Sequence, residues 1–177
     1  TTNAFEAKGA DGAKTLTIDA ATSAGTTTIN NGGAVAGDIT ITGVKSNVDF
    51  VDGFTGTGDV SVTVTDVDAK TIDFGTSTSY ATAAVNAAAV GDGKTLTLTG
   101  AEALTLTAAD GDIDASAYTG AITATVTNTA DVTVKGGTTT NAFEAKGADG
   151  AKTLTIDAAT SAGTTTINNG GAVAGDI

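Results

Sequence analysis

The sequence predicts an all-β protein in which short strands coil into a parallel β-solenoid or β-roll. Three observations predict this fold. Residues 1–39 return unchanged as residues 139–177, apolar and polar residues alternate in many short segments, and Thr and Gly are abundant while aromatic residues make up only 4% of the chain. Self-similarity at a fixed period is the signature of repeat architectures. Tandem β-sandwich domains are the alternative fold.

The repeat sets the domain organisation. Its period is 138 residues, so residues 1–138 form one full tandem repeat and residues 139–177 begin the next. The sequence begins and stops inside this pattern, and we therefore expect it to belong to a longer array of the same unit.

Alternating segments recur along the whole repeat. Successive side chains of a strand point to opposite faces, so alternation with a period of two indicates one buried and one exposed face. The strongest segments place aliphatic residues, with Ala124, on one face and Thr, with Ser61, on the other. They are residues 16–18, 39–41, 60–64, 96–98, 104–106, 122–126 and 132–134. Weaker segments are residues 4–7, 26–29, 48–51, 72–74 and 113–115. Turns rich in Gly, Asn and Asp separate them, as these residues favour tight turns.

Strand spacing favours the solenoid over the sandwich. Solenoid coils use short strands and small stacked residues, whereas a sandwich needs longer strands and bulky aromatic anchors, and this chain has five Phe, two Tyr and no Trp. One segment departs from the alternation. Residues 79–90 are dominated by Ala, the strongest helix former, and predict a short helix capped within residues 77–79.

Composition excludes several classes of function. A net charge of −12 argues against nucleic-acid partners, which require clustered Lys and Arg. The absence of Cys excludes disulfides and thiolate metal sites, and no apolar stretch reaches the length of a membrane span. The chain also lacks His and Arg, so the common catalytic bases and oxyanion clamps are missing. We therefore predict that the protein is not an enzyme.

Calcium is the metal that the composition allows. Ca²⁺ binds six to eight oxygen ligands, and Asp residues clustered around Gly can supply several of them. The candidate ligands form three groups, namely Asp110, Asp112 and Asp114; Asp49, Asp52 and Asp59; and Asp66 and Asp68. A solvated acidic turn is the alternative interpretation of each group.

Paired Thr residues of the form Thr-x-Thr recur in most of the alternating segments. Such runs resemble the Thr arrays of β-solenoid ice-binding proteins. The alternative is that any half-exposed strand places Thr on its outer face. The irregular spacing of the strands favours this second interpretation.

Three further segments carry a family resemblance. Residues 101–107 read AEALTLT, residues 112–123 read DIDASAYTGAIT and residues 132–137 read VTVKGG. This succession resembles bacterial surface-layer proteins of the calcium-associated β-roll kind exported by type I secretion, as in Caulobacter and Campylobacter. It covers residues 94–137 and implies an extracellular location at the bacterial cell surface.

In that family a Gly-Gly pair often begins a calcium-binding nonapeptide. Here Gly136 and Gly137 are present, but Thr139 replaces the expected Gly and Asn141 replaces the expected Asp. An ordinary Gly-Gly turn leading into a strand is the favoured interpretation of this segment.

These observations together predict a structural protein of an extracellular surface layer or surface filament that self-assembles with identical chains through its tandem repeats. The alternative is the repetitive spacer region of a large surface adhesin. For a continuous rod we expect residues 132–137 to pair with residues 141–146, the two copies of residues 1–39 to share one conformation, and identical chains to meet end to end.

Overall fold

The computed structural model describes residues 2–7, 14–31, 37–51, 56–66, 68, 70–75, 80–146, 152–170 and 176–177. These residues contain sixteen strands and no helix. The strands are β1 (Asn3–Ala7), β2 (Leu16–Asp19), β3 (Thr27–Asn31), β4 (Ile39–Val44), β5 (Val48–Phe50), β6 (Val60–Val64), β7 (Lys70–Asp73), β8 (Ala83–Asn86), β9 (Thr95–Thr99), β10 (Leu104–Ala109), β11 (Asp112–Asp114), β12 (Ile122–Val126), β13 (Val132–Lys135), β14 (Asn141–Ala145), β15 (Leu154–Asp157) and β16 (Thr165–Asn169).

Consecutive strands alternate between two eight-stranded sheets. The odd-numbered strands form sheet A and the even-numbered strands form sheet B, each in sequence order. Every neighbouring pair is parallel, for example Leu16 opposite Ile39 and Thr105 opposite Thr123. Each coil therefore contributes one strand to each sheet, and the next coil stacks on it. This is the predicted parallel β-solenoid, and the parallel order excludes the β-sandwich, whose sheets are antiparallel.

The core is the narrow space between the two sheets. The inward residues are mostly Ile, Val, Leu and Ala, and the alternation of buried and exposed positions follows the strand period. Larger side chains stack along the axis: the rings of Phe50 and Phe74 are 5.7 Å apart and Tyr80 packs against both. Small aliphatic residues and a few stacked rings therefore fill an interior that is only two side chains deep.

The Ala-rich segment is a strand, so the predicted helix at residues 79–90 is wrong. β8 pairs with β6 and β10, and Ala83, Val85 and Ala87 are buried at alternate positions while Ala84 lies on the outer side. Neighbouring coils satisfy the backbone hydrogen bonds of this segment on both sides. Stacking therefore overrides the intrinsic helix propensity of Ala, as tertiary context commonly does. Ser79, at the predicted start of this helix, lies outside the described residues.

The two copies of the repeated segment keep the same internal pairing. Asn3 lies opposite Thr27 in the first copy, and Asn141 lies opposite Thr165 in the second. The copies nevertheless lie in opposite sheets, because β1 belongs to sheet A and β14 to sheet B.

The predicted neighbour of the second copy is wrong by one strand. β14 pairs with β12, so Ile122 rather than Val132 lies opposite Asn141. Residues of β13 pair with β15 instead, with Val132 opposite Leu154. The reason is that each coil has two strands, so a strand stacks on the second strand before it in the sequence and not on the first.

Candidate functional site

The described interior is filled with apolar side chains, so the candidate sites lie on the outer faces and in the turns. Asp110 precedes β11 and accepts hydrogen bonds from the backbone nitrogen and the hydroxyl of Thr129, at 2.6 and 3.0 Å. Asp112 accepts a hydrogen bond from the backbone nitrogen of Thr133 at 2.7 Å. Both carboxylates thus join their own coil to the next.

Asp114 lies at the end of β11 beside a cation. Its Oδ1 accepts hydrogen bonds from the hydroxyl and the backbone nitrogen of Ser116, at 2.6 and 3.1 Å, and its Oδ2 lies 2.9 Å from the Nζ of Lys135. The Ser116 hydroxyl, followed by Lys135, lowers the pKa of Asp114 despite an opposing effect of partial burial. The hydrogen bond to Asp114 in turn raises the pKa of Lys135.

A groove of about 270 Å³ on the outer face of sheet A joins two of these carboxylates. Asp112 and Asp114 line it together with Thr95, Thr133 and Lys135. The ammonium group of Lys135 occupies the position where a cation would neutralise Asp114. The groove therefore combines hydroxyl groups and an ion pair rather than carboxylates alone.

The second predicted group of carboxylates is spread along the chain. Asp49 lies within β5, and Asp52 lies outside the described residues. Asp59 accepts a hydrogen bond from the hydroxyl of Thr82 in the next coil at 2.7 Å. Where the structure describes this group, it places Asp49 within a strand and Asp59 immediately before one.

The third group forms a turn. Asp66 accepts a hydrogen bond from the backbone nitrogen of Asp68 at 3.0 Å, and Asp68 lies 3.6 Å from the Nζ of Lys94. Within the described parts of the chain, no three acidic, His or Cys side chains are placed to hold one metal ion. Calcium binding at any of the predicted positions stays a prediction.

Sequence reasoning missed a regular role of the acidic residues. At the ends of several strands an Asp or Asn side chain accepts a hydrogen bond from the backbone nitrogen two residues later, which is the Asx turn. The pairs are Asp19 with Ala21, Asp73 with Gly75, Asn86 with Ala88, Asp114 with Ser116 and Asp157 with Ala159. An Asp or Asn that closes an alternating segment is the sequence signal for this turn.

The Gly-Gly turn is held by a buried amide. Asn141 accepts a hydrogen bond from the backbone nitrogen of Gly137 at 2.9 Å and donates to the carbonyl oxygens of Gly137 and Thr139, both at 3.1 Å. Its amide nitrogen also lies 3.1 Å from the hydroxyl of Ser161 in the next coil. The residue that replaces the expected Asp thus satisfies the backbone of the turn.

The two outer faces differ in charge. On sheet B, strands β4 to β12 present ten uncharged outward residues, which we call the Thr face: Thr40, Thr42, Ser61, Thr63, Ala84, Asn86, Thr105, Thr107, Thr123 and Thr125. On sheet A, strands β5 to β13 present Asp49, Asp73, Asp112, Asp114 and Lys135. Between β4 and β13 the solenoid therefore has an acidic side and an uncharged hydroxyl-rich side.

Comparison of the chain with protein-family models, with curated proteins and with solved structures gives no match. The resemblance to surface-layer proteins thus rests on the sequence segments of residues 94–137 alone. No helix among the described residues is long and apolar enough to cross a membrane.

Proposed function

We propose that the protein is a structural component of an extracellular bacterial surface layer or surface filament, which self-assembles with identical chains through its tandem repeats. One comparison within the chain supports this proposal. Phe5 in β1 is 38% exposed, whereas Phe143, the same residue of the second copy, is 1% exposed because β12 stacks on its strand. Burial of this segment is therefore completed by an adjoining coil.

The opposite edge of the described solenoid supports the same conclusion. Ile29 is fully buried beneath β5, whereas Ile167 in β16 is 47% exposed. The strands β1 and β16 thus present apolar side chains at the two margins of the stack. An open strand edge is a template for pairing with another strand. Contacts between two different ends generate open filaments when the operation does not close on itself.

The acidic composition supports assembly from single rods, and the sequence resemblance supports the proposed location. A net charge of −12 keeps such rods soluble before they assemble. The segments of residues 94–137 that resemble surface-layer proteins occupy β9 to β13, five consecutive strands of the solenoid. The location at the bacterial surface rests on this resemblance.

Electron microscopy of the purified chain tests the proposal. We expect filaments or ordered sheets, and we expect the double variant Phe5→Asp and Ile167→Asp to prevent elongation because it places charge on both apolar margins. Thr71→Glu, on the outer face of β7 in the middle of the stack, is the control and should elongate normally. Monodisperse single rods over the whole accessible concentration range would contradict self-assembly.

A repetitive spacer of a surface adhesin is the second candidate. The observation that favours it is the unbroken stacking of parallel strands within each sheet, which makes a stiff rod of the kind that holds a binding domain away from a surface. The two candidates differ in the electron micrographs, because a spacer remains a single rod while a structural lattice assembles.

Calcium is proposed as a stabilising ion, on the basis of the acidic groups and the resemblance. An ion that binds only the folded state raises its stability by mass action. We expect EDTA to lower the melting temperature or to dissolve assemblies, and the triple variant of Asp110, Asp112 and Asp114 to Asn to reproduce part of this effect. Identical melting curves with EDTA and with excess Ca²⁺ would show that calcium does not stabilise the fold.

A further inference from the structure

The Thr face is continuous across several coils. Thr40 lies opposite Ser61, Ser61 opposite Ala84, and Ala84 opposite Thr105, which lies opposite Thr123. These five residues form one row of small polar and apolar side chains along the solenoid axis. Charged residues border this face on the same sheet, with Asp19 on β2 and Glu144 on β14.

Charge decides which faces of two identical rods can approach each other. Two copies of a chain with a net charge of −12 repel through most of their surface, and like charges directly opposed cost several kcal/mol at an interface. Two Thr faces can meet with carboxylates only at their borders, where Glu144 lies 3.4 Å from the Thr125 hydroxyl and Asp19 lies opposite Thr42. In the middle of the face the hydroxyl groups of two copies can donate to and accept from one another.

Successive repeats are offset by half a coil of the solenoid, a relation called here the half-turn. The described part of one repeat contains thirteen strands, β1 to β13, which at two strands per coil is six and a half coils. This odd number explains why β1 lies in sheet A and its copy β14 in sheet B. In a tandem array of this unit, the strands equivalent to β4, β6, β8, β10 and β12 consequently lie in sheet B in one unit and in sheet A in the next.

We propose that the Thr face is a lateral interface for a second copy of this chain, and that the half-turn presents this interface on alternate sides of a tandem array. The proposal rests on the proposed function and specifies its partner and contact surface. Successive units would be displaced by six and a half coil spacings, about 31 Å at the usual strand separation. An array that binds neighbours alternately on its two sides forms a sheet rather than a pair.

Analytical ultracentrifugation of the chain tests the interface. We expect side-by-side dimers, and we expect the double variant Thr105→Glu and Thr123→Glu to raise their dissociation constant on the order of a hundredfold, because it opposes like charges in the contact. Both side chains are exposed, so the substitutions leave the core unchanged. The two carboxylates lie opposite each other on neighbouring strands, so the melting temperature of the variant is measured as well, to separate a weaker dimer from a weaker fold. The matched control is Thr71→Glu with Thr97→Glu, which places two opposed carboxylates on neighbouring strands in the middle of sheet A and should leave the dimer unchanged.

A protein of two full units tests the alternation. We expect this longer protein to form sheets, and the same substitutions in only one of its units to reduce these sheets to pairs. Filament width reports lateral contact and filament length reports end-to-end growth, so the two proposals fail separately. Filaments of unchanged width in the Thr105 and Thr123 variant would overturn the lateral interface. An equal rise of the dimer dissociation constant in the control would overturn it as well. Neither outcome would contradict end-to-end assembly.

Discussion

At the scale of single residues, two buried tyrosines differ in how their hydroxyl groups are satisfied. The hydroxyl of Tyr80 donates a hydrogen bond to the backbone oxygen of Phe74. Tyr118 is fully buried, and its hydroxyl has no hydrogen-bond partner among the described residues. Burial raises the pKa of Tyr118 well above its usual value, since the interior disfavours a phenolate.

We predict opposite effects of removing these two hydroxyl groups. Tyr118→Phe should leave the free energy of unfolding unchanged or raise it by about 1 kcal/mol, because it removes a buried group that lost its hydration without gaining a partner. Tyr80→Phe should lower the free energy of unfolding by about 1 kcal/mol, because it leaves a carbonyl oxygen without its donor. Urea denaturation of both variants measures the difference. Equal destabilisation would show that the Tyr118 hydroxyl is satisfied in solution.

Asp114 gives the protein a predicted dependence on pH. The folded pKa lies below the ordinary value of 3.8, so the carboxylate stabilises the folded state above that value. This stabilisation is lost as the pH falls through the folded pKa. We expect Asp114→Asn to lower the free energy of unfolding at neutral pH by about 1 kcal/mol or less, the range for exposed ion pairs. We also expect the melting temperature of this variant to fall less steeply than that of the parent as the pH is lowered from neutral to ~2. Ser116→Ala should give part of the same change, since the Ser116 hydroxyl is the main cause of the shift. An equal fall of the melting temperature with pH in Asp114→Asn and in the parent would contradict this role.

At the scale of strands, two bulges occupy corresponding places in sheet B. The register of β4 shifts between Ile41 and Val44, and that of β10 shifts between Leu106 and Ala109. Gly43 in the first bulge has a φ of 68°, and Ala108 in the second has a φ of 53°. Glycine adopts this left-handed conformation readily, whereas alanine does so at a cost of about 1–2 kcal/mol.

We therefore predict that Ala108→Gly stabilises the protein by about 0.5–1 kcal/mol, the relief of strain exceeding the entropic cost of glycine in the unfolded chain. The control is Ala84→Gly on the outer side of β8, where the same substitution should cost about 0.5–1 kcal/mol. Thermal denaturation of the two variants gives the comparison. A melting temperature lowered equally by both would show that Ala108 is not strained.

The strands were predictable because alternation needs only local sequence. The weak segment at residues 48–51 and the strong one at residues 60–64 correspond to β5 and β6. The strand at residues 83–86 was not predictable, since Ala has high helix propensity and its strand conformation depends on neighbouring coils. The assignment of each strand to sheet A or B was equally inaccessible, because the number of strands per coil is a property of the whole stack.

The surfaces were predictable only in composition. Acidic turns were evident from the sequence, but the pairing of Asp114 with Lys135 joins residues 21 positions apart and depends on coil length. The charge difference between the two outer faces also depends on coil length, because coil length decides which strands share a sheet. Local patterns thus gave the candidate residues, and stacking decided their partners.

At the scale of the whole molecule, the two copies of residues 1–39 separate the effect of sequence from the effect of neighbours. Phe5 and Phe143 have the same local sequence, as do Ile29 and Ile167. The exposed member of the first pair is in the first copy, and the exposed member of the second pair is in the second copy. Stacking of an adjoining coil, rather than the segment itself, therefore sets the contribution of each residue to stability.

We predict that alanine substitutions will show this crossed pattern in dilute solution. Phe143→Ala should cost about 3–5 kcal/mol and Ile29→Ala about 2–5 kcal/mol, the range for core truncations. Phe5→Ala and Ile167→Ala should each cost less than about 1 kcal/mol, because their strands gain little from burial. Chemical denaturation at low protein concentration measures all four values. If chains stack end to end, the cost of Phe5→Ala should rise with protein concentration as β1 becomes covered. Equal costs for Phe5 and Phe143 in monomers would contradict the dependence of burial on the adjoining coil.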